Sequence, residues 1–161
     1  MSDRIAVMSD GVIQQVADGK TVYDNPDTAF VASFVGENNP FSGRVVNADA
    51  ESAVIETAHG ALRGRNPKNL KPGDKAILFV RPENFKLGHG EAQATVSSET
   101  LSAAFEGNAT HVFLKGATKK DVTVTVARHG GHRIPAQGET AAIHYDPAMS
   151  VILPEGKMAR E

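Results

Sequence analysis

From Phe41 onward the chain is a succession of short apolar runs, each closed by Gly, Pro, Asn or Asp, and this punctuation leaves room for strands but not for long helices. The runs are Phe41 to Val46, Ala53 to Thr57, Ala61 to Arg63, Ala76 to Val80, Gln93 to Phe105, Asn108 to Leu114, Asp121 to Val126 and Thr140 to Tyr145, with Val151 to Leu153 closing. His59-Gly60 and Lys71-Pro72-Gly73-Asp74 supply turns between them. Asp121-Val122-Thr123-Val124-Thr125-Val126 alternates with period two, the pattern of a strand with one wet face. The expectation is a mainly β fold, a small OB-type barrel or sandwich. The runs near Phe41 and near Val96 read as equivalent first strands of two half-barrels. The polar tail from Pro154 is expected to fray.

The first part is different. Ile5 to Met8 and Val12 to Val16 flank Ser9-Asp10-Gly11, and Asp-Gly between β-prone runs marks a hairpin whose turn needs positive φ. Lys20 to Tyr23 reads as a short helical turn stopped before Pro26. Asp27-Thr28 caps a second helix, with Phe30, Val31, Phe34 and Val35 on one face and Gly36 at its end. A hairpin and two short helices bury little surface alone, so this segment requires a larger body or a second copy of the chain to cover it. Glu37-Asn38-Asn39-Pro40 is read as a polar surface hinge, giving two units, residues 1–36 and 37–161.

Composition excludes several functions. A net charge of −2 and 6% aromatics provide neither the basic groove nor the stacking platforms that nucleic acid requires. Without cysteine there is no disulfide, thiolate metal site or cysteine nucleophile. No apolar stretch reaches the ~20 residues of a membrane-spanning helix, and the first residues lack the pattern of a signal peptide.

Candidate chemistry is sparse. Arg81 and Glu83 flank Pro82 directly after an apolar run. Two readings stand: a ligand or partner contact, since Arg grips carboxylates bidentately, or a local pair that holds a strand end. His129-Gly130-Gly131-His132 invites a metal, but zinc needs about four ligands and His59, His89, His111 and His144 are scattered, so a hairpin tip is the expectation and no metal site is assigned. Ser97-Ser98-Glu99-Thr100 lacks a nucleophile elbow. Gly88-His89-Gly90 and Gly130-Gly131 lack the strand-loop-helix setting of a phosphate loop. No catalytic residue and no cofactor site are assigned.

Residues Asp3 to Gly36, DRIAVMSDGVIQQVADGKTVYDNPDTAFVASFVG, resemble the closing segment of the ATPase domain of ABC importers for polyamines, iron, sugars and similar solutes. Four further places resemble the transport-associated OB-type (TOBE) domain that follows it: Gly36-Glu37-Asn38-Asn39; Val80-Arg81-Pro82-Glu83-Asn84-Phe85; Ala104-Phe105-Glu106-Gly107-Asn108; and Tyr145-Asp146-Pro147 with Val151 to Pro154. The set runs through the chain in the family's order. Tyr145 stands where Trp is common, and Pro40-Phe41 replaces the more usual Leu-Leu or Asn-Phe. There is no G-x-x-x-x-G-K-[ST] loop and no LSGGQ-like signature. The resemblance therefore implies an accessory, dimerising and regulatory region without the ATP-hydrolysing motifs. ATP and magnesium would be handled by the rest of a parent subunit that meets membrane permease subunits on the cytoplasmic side of the inner membrane. The competing reading is a free-standing barrel that binds a small oxyanion.

Overall fold

The computed structural model describes residues 4–118, 120–127 and 133–159; the His129 to His132 stretch singled out above lies outside them. The chain opens with a hairpin of β1 (Ile5–Ser9) and β2 (Val12–Ala17). Its turn has φ of 52° at Asp10 and 78° at Gly11, the two positive angles that the Asp-Gly pair anticipates. Helix α1 (Gly19–Asp24) starts at Asp18, whose carboxylate accepts from the Thr21 N–H at 2.7 Å. Helix α2 (Ala29–Phe34) starts at Thr28, whose hydroxyl accepts from the Val31 N–H at 3.3 Å. Gln15, buried, bonds both Asn25 O and Asp27 N and so pins the link between the helices to the hairpin.

The first closed unit contains β3 (Asn39–Ala48), β4 (Ser52–Thr57), β5 (Gly60–Arg65), β6 (Lys75–Val80) and β12 (Val151–Pro154), in the order β12-β5-β4-β3-β6. The ring shuts where β12 pairs antiparallel with β6 and touches β5 in parallel at Val151 and Arg65. A bulge between Val45 and Asn47 bends β3. At Gly43 the neighbouring strand comes so close that a Cβ would lie 2.1 Å from the Glu56 carbonyl oxygen, which only glycine permits.

The second sheet has the order β10-β9-β8-β11-β7, formed by β7 (Phe85–Leu87), β8 (Thr95–Glu106), β9 (Ala109–Leu114), β10 (Val122–Ala127) and β11 (Thr140–Tyr145). It repeats the plan of the first. β8, like β3, is long and bulged, here between Thr100 and Ser102, and is followed by two hairpin partners and a fourth strand that returns to pair with it. The reading of Phe41 and Val96 as equivalent starts therefore holds. What the runs did not show is that the two halves exchange their fifth strands. After β6, a 3₁₀ turn at Pro82–Asn84 sends the chain into the second sheet as β7; after β11, a 3₁₀ turn at Pro147–Met149 returns it to the barrel as β12. Each Pro ends its strand because it has no N–H for the ladder and holds the residue before it extended, Arg81 at ψ 145° and Asp146 at ψ 120°.

The exchange merges the two halves into one core. Phe41, Leu62, Leu78, Phe85, Leu114, Ile143, Tyr145 and Ile152 belong to a single buried cluster. Phe85 sits edge-on between Phe41 at 6.1 Å and Tyr145 at 5.7 Å. A smaller cluster joins Ala29 and Ala32 of α2 to Ile77, Phe79, Val151 and Leu153 on the outside of the barrel.

Two expectations change. Asn38 and Asn39 are buried, 7% and 1% exposed, and Asn39 already pairs with Val80 in the barrel ladder. The reason is that both amides find main-chain partners. Asn38 donates to Ala32 O at 3.0 Å, while Asn39 both donates to Thr123 O and accepts from Thr123 N, each at 2.8 Å. The link is a clamp between α2, barrel and second sheet, not a wet hinge. The apolar face of α2 also divides: Val31 is fully buried with Val7 and Val22, whereas Phe34 stays 51% exposed and stacks on Phe30 at 5.7 Å. Further exposed apolar side chains gather on the outer face of the hairpin, where Met8 lies opposite Ile13 and Ala6 opposite Val16.

Candidate functional site

A polar constellation lies where the first segment meets the two Pro-led turns. Arg81 is placed there by the end of β6 and the fixed geometry of Pro82. It is 6% exposed, and its guanidinium donates to three main-chain carbonyls of the first segment and its exit: Nη2 to Tyr23 O at 2.9 Å, and Nη1 to Glu37 O at 2.9 Å and to Val35 O. Its Cζ lies 3.9 Å above the Tyr23 ring centroid, a cation–π contact. Gly36, at φ +70°, lets the chain turn beneath this group, since a Cβ there would meet the Tyr23 ring at 3.1 Å and Arg81 Nη1 at 3.3 Å. Glu83 is exposed, and its carboxylate accepts the hydrogen bond of the Tyr23 hydroxyl.

Arg65, at the end of β5, provides a second clasp. Its Nε donates to Ser150 O at 2.8 Å, Nη1 to Asn25 Oδ1 at 2.7 Å and Nη2 to Asp24 O at 2.8 Å. The two arginines thus tie α1 to the barrel beside both exchange turns. Between them opens a cavity of about 290 Å³ whose lining includes Lys20, Tyr23, Arg65, Arg81, Asn84 and Ser150.

Sequence reasoning singled out Arg81 and Glu83 but missed Tyr23 and Arg65. The Arg81–Tyr23 bond spans 58 positions and the Arg65–Asp24 bond 41, so no local pattern announces either. The described histidines stay apart: His59 packs edge-on to Phe41 at 5.6 Å and burial lowers its pKa, His111 lies between Thr125 and Glu106, and His144 meets Gly88 O. Among the described residues no three His, Cys, Asp or Glu side chains are grouped as a metal would require. Ser97 and Ser98 lie in β8, and Ser98 donates its hydroxyl to Lys115 O.

Both tyrosines of the chain are perturbed in the same direction. Burial first, and then the Glu83 carboxylate, push the Tyr23 phenol up to about 12. Burial likewise raises Tyr145, whose hydroxyl donates to Arg63 O at 2.6 Å. A phenol whose folded pKa is raised contributes stability that is complete below its ordinary value of 10.0 and is lost as pH rises through about 12 for Tyr23. The expected ultraviolet titration shows no phenolate step centred at pH 10 in the folded chain. A full one-tyrosine step at pH 10 would show that the Tyr23–Glu83–Arg81 arrangement does not form.

The fold is a double β-unit with exchanged fifth strands, led by a hairpin and two short helices that two arginines staple to it. Residues 78–153, from within β6 to within β12, match the TOBE domain family. The spermidine/putrescine import ATP-binding protein PotA of Rubrobacter xylanophilus is 35% identical over 159 residues, covering 95% of this chain and 41% of that protein. The PotA proteins of Methylococcus capsulatus and Nitratidesulfovibrio vulgaris are 31% and 28% identical, covering 94% and 98% of this chain and 38% and 45% of theirs. Residues 78–153 thus carry the TOBE match, and nearly the whole chain is similar to part of these import ATP-binding proteins. It spans about two fifths of the length of the curated relatives it matches. Among solved structures, the cytoplasmic molybdate-binding protein ModG in its molybdate-bound form superposes with a TM-score of 0.59 at 15% identity, over 72% of this chain and 96% of that one. That likeness is one of fold. Among the described residues no helix is long and apolar enough to cross a membrane.

Proposed function

We propose that this chain is the accessory, regulatory and dimerising region of an ATP-binding subunit that drives import of a polyamine-type solute. The observation that carries this reading is the similarity to PotA proteins, which runs through the first segment as well as the barrel and covers 95% of the chain. In this reading residues 1–36 close an ATPase domain and residues 37–161 form the TOBE domain. Nucleotide and magnesium belong to the rest of the subunit, which meets membrane permease subunits and a second copy of itself at the cytoplasmic face. The exposed hairpin face of Ala6, Met8, Ile13 and Val16 supports the reading, because a solvated apolar strip of this kind is normally covered. Glu83, exposed beside the arginine clasp, is the proposed partner contact.

The test has two arms. Alone, the chain is expected to give a flat calorimetric titration with micromolar Mg-ATP and no phosphate release. Joined in place of the corresponding region of the Rubrobacter xylanophilus PotA protein, it is expected to yield a soluble dimer that hydrolyses ATP. Micromolar nucleotide binding by the chain alone, or a fusion in which the ATPase portion behaves as if the region were missing, overturns the reading.

A further inference from the structure

The cavity at the clasp carries an imbalance of charge. Three of its lining side chains are cationic, Lys20, Arg65 and Arg81, against one carboxylate, Asp24. Lys20 and Asp24 neutralise each other at 2.6 Å. The two arginines have no carboxylate within ion-pairing distance among the described residues; every hydrogen bond identified for their guanidinium groups goes to a carbonyl oxygen. Glu83, the nearest remaining acid on the same turn, is directed at the Tyr23 hydroxyl. Arg81, 6% exposed and without an ion-paired acid, is held against its hydration, and burial lowers its pKa although Glu83 and Asp24 act on it in the opposite sense. Each guanidinium has five N–H groups in a planar fork, so bonds to three carbonyl acceptors leave further donors for an oxyanion. Asn84 and Ser150 add polar groups at the rim, and Pro26, Phe79 and Val151 supply apolar wall.

We propose that this cavity is a binding site for a small phosphate-class oxyanion, held chiefly by Arg65 with Lys20 at the mouth and Arg81 at the floor. The volume of about 290 Å³ exceeds what a bare phosphate fills, so the group arrives either as free phosphate or as a small phosphomonoester. The site lies outside the core of both β-units and between α1 and the exchange turns. Its occupant therefore bridges the first segment to the barrel and favours the docked arrangement of the two. The inference stands on the cavity alone and does not depend on how the chain is used in transport.

The experiment is a titration of the whole chain with inorganic phosphate and, separately, glycerol phosphate, each against sodium chloride at matched ionic strength. Amide and guanidinium NMR signals and thermal unfolding are followed. Expected are saturable shifts at Lys20, Tyr23, Arg65, Asn84 and Ser150 at millimolar ligand and a raised unfolding midpoint. Tighter binding of the ester identifies a phosphomonoester, and equal or tighter binding of phosphate identifies the free anion. R65Q is expected to weaken binding by about tenfold or more. The shifts in the unaltered chain keep the proposal testable if that variant does not fold. No saturable shift with either ligand, shifts centred elsewhere, or unchanged affinity in a folded R65Q variant overturns it.

Discussion

Replacing Arg81 by Ala should lower stability by about 3 kcal/mol and free residues 19–37 from the barrel. The reason is asymmetric. The guanidinium serves the carbonyls of Tyr23, Val35 and Glu37 and covers the Tyr23 ring. Truncation removes charge-assisted bonds, each contributing about 1.5–3 kcal/mol in favourable settings, and leaves carbonyls without that partner in a partly dry place. Water entering the gap offsets part of this loss, which keeps the expected total near the cost of one or two such bonds. Lys at this position keeps the charge but not the fork, so R81K should recover less than half of the loss. Urea unfolding measures the total, and amide exchange at Val22, Val31 and Asn38 locates it. A loss under about 1 kcal/mol with unchanged exchange would place Arg81 among ordinary surface charges and sink the staple.

Phe85→Ala should be more damaging, by about 4 kcal/mol, with unfolding still in one transition. Phe85 is 1% exposed and stands on the exchanged strand β7, between Phe41 of the barrel and Tyr145 of the second sheet. Its removal deletes a large buried ring, two edge-to-face contacts and the filling of the seam between the two units. Phe85→Leu retains most of the volume and should lose about 1–2 kcal/mol. Tyr145 absorbs in the near ultraviolet and reports the seam, whereas the far-ultraviolet signal reports the strands. Coincident transitions by both probes are expected because each unit is completed by a strand from the other. Two separated transitions, or a loss for the alanine variant below about 1.5 kcal/mol, would show that the units are independent.

Much of the architecture is local in origin. Period-two alternation from Val122 to Val126, the Asp10-Gly11 turn, the caps at Asp18 and Thr28 and the stops at Pro82 and Pro147 are each determined within a few residues, because backbone sterics and short-range hydrogen bonds decide them. The ordered family motifs, from Asp3-Arg4 to the closing Val151 to Pro154, likewise reside in the one-dimensional order of residues. The clasp was half legible. Arg81 and Glu83 stood out beside Pro82, while Tyr23 and Arg65 did not, since side chains 58 and 41 positions from their partners leave no periodic trace.

The chain by itself determined the element types, the turns, the two-unit plan and the family resemblance. Only the tertiary structure decided that the units trade their fifth strands, that Asn38 and Asn39 turn inward to bond Ala32 and Thr123, and that two arginines, neither ion-paired to an acid among the described residues, converge on one cavity. In each case the deciding energy comes from pairing polar groups or filling volume between segments distant in sequence, and a linear pattern does not encode which distant segment will arrive.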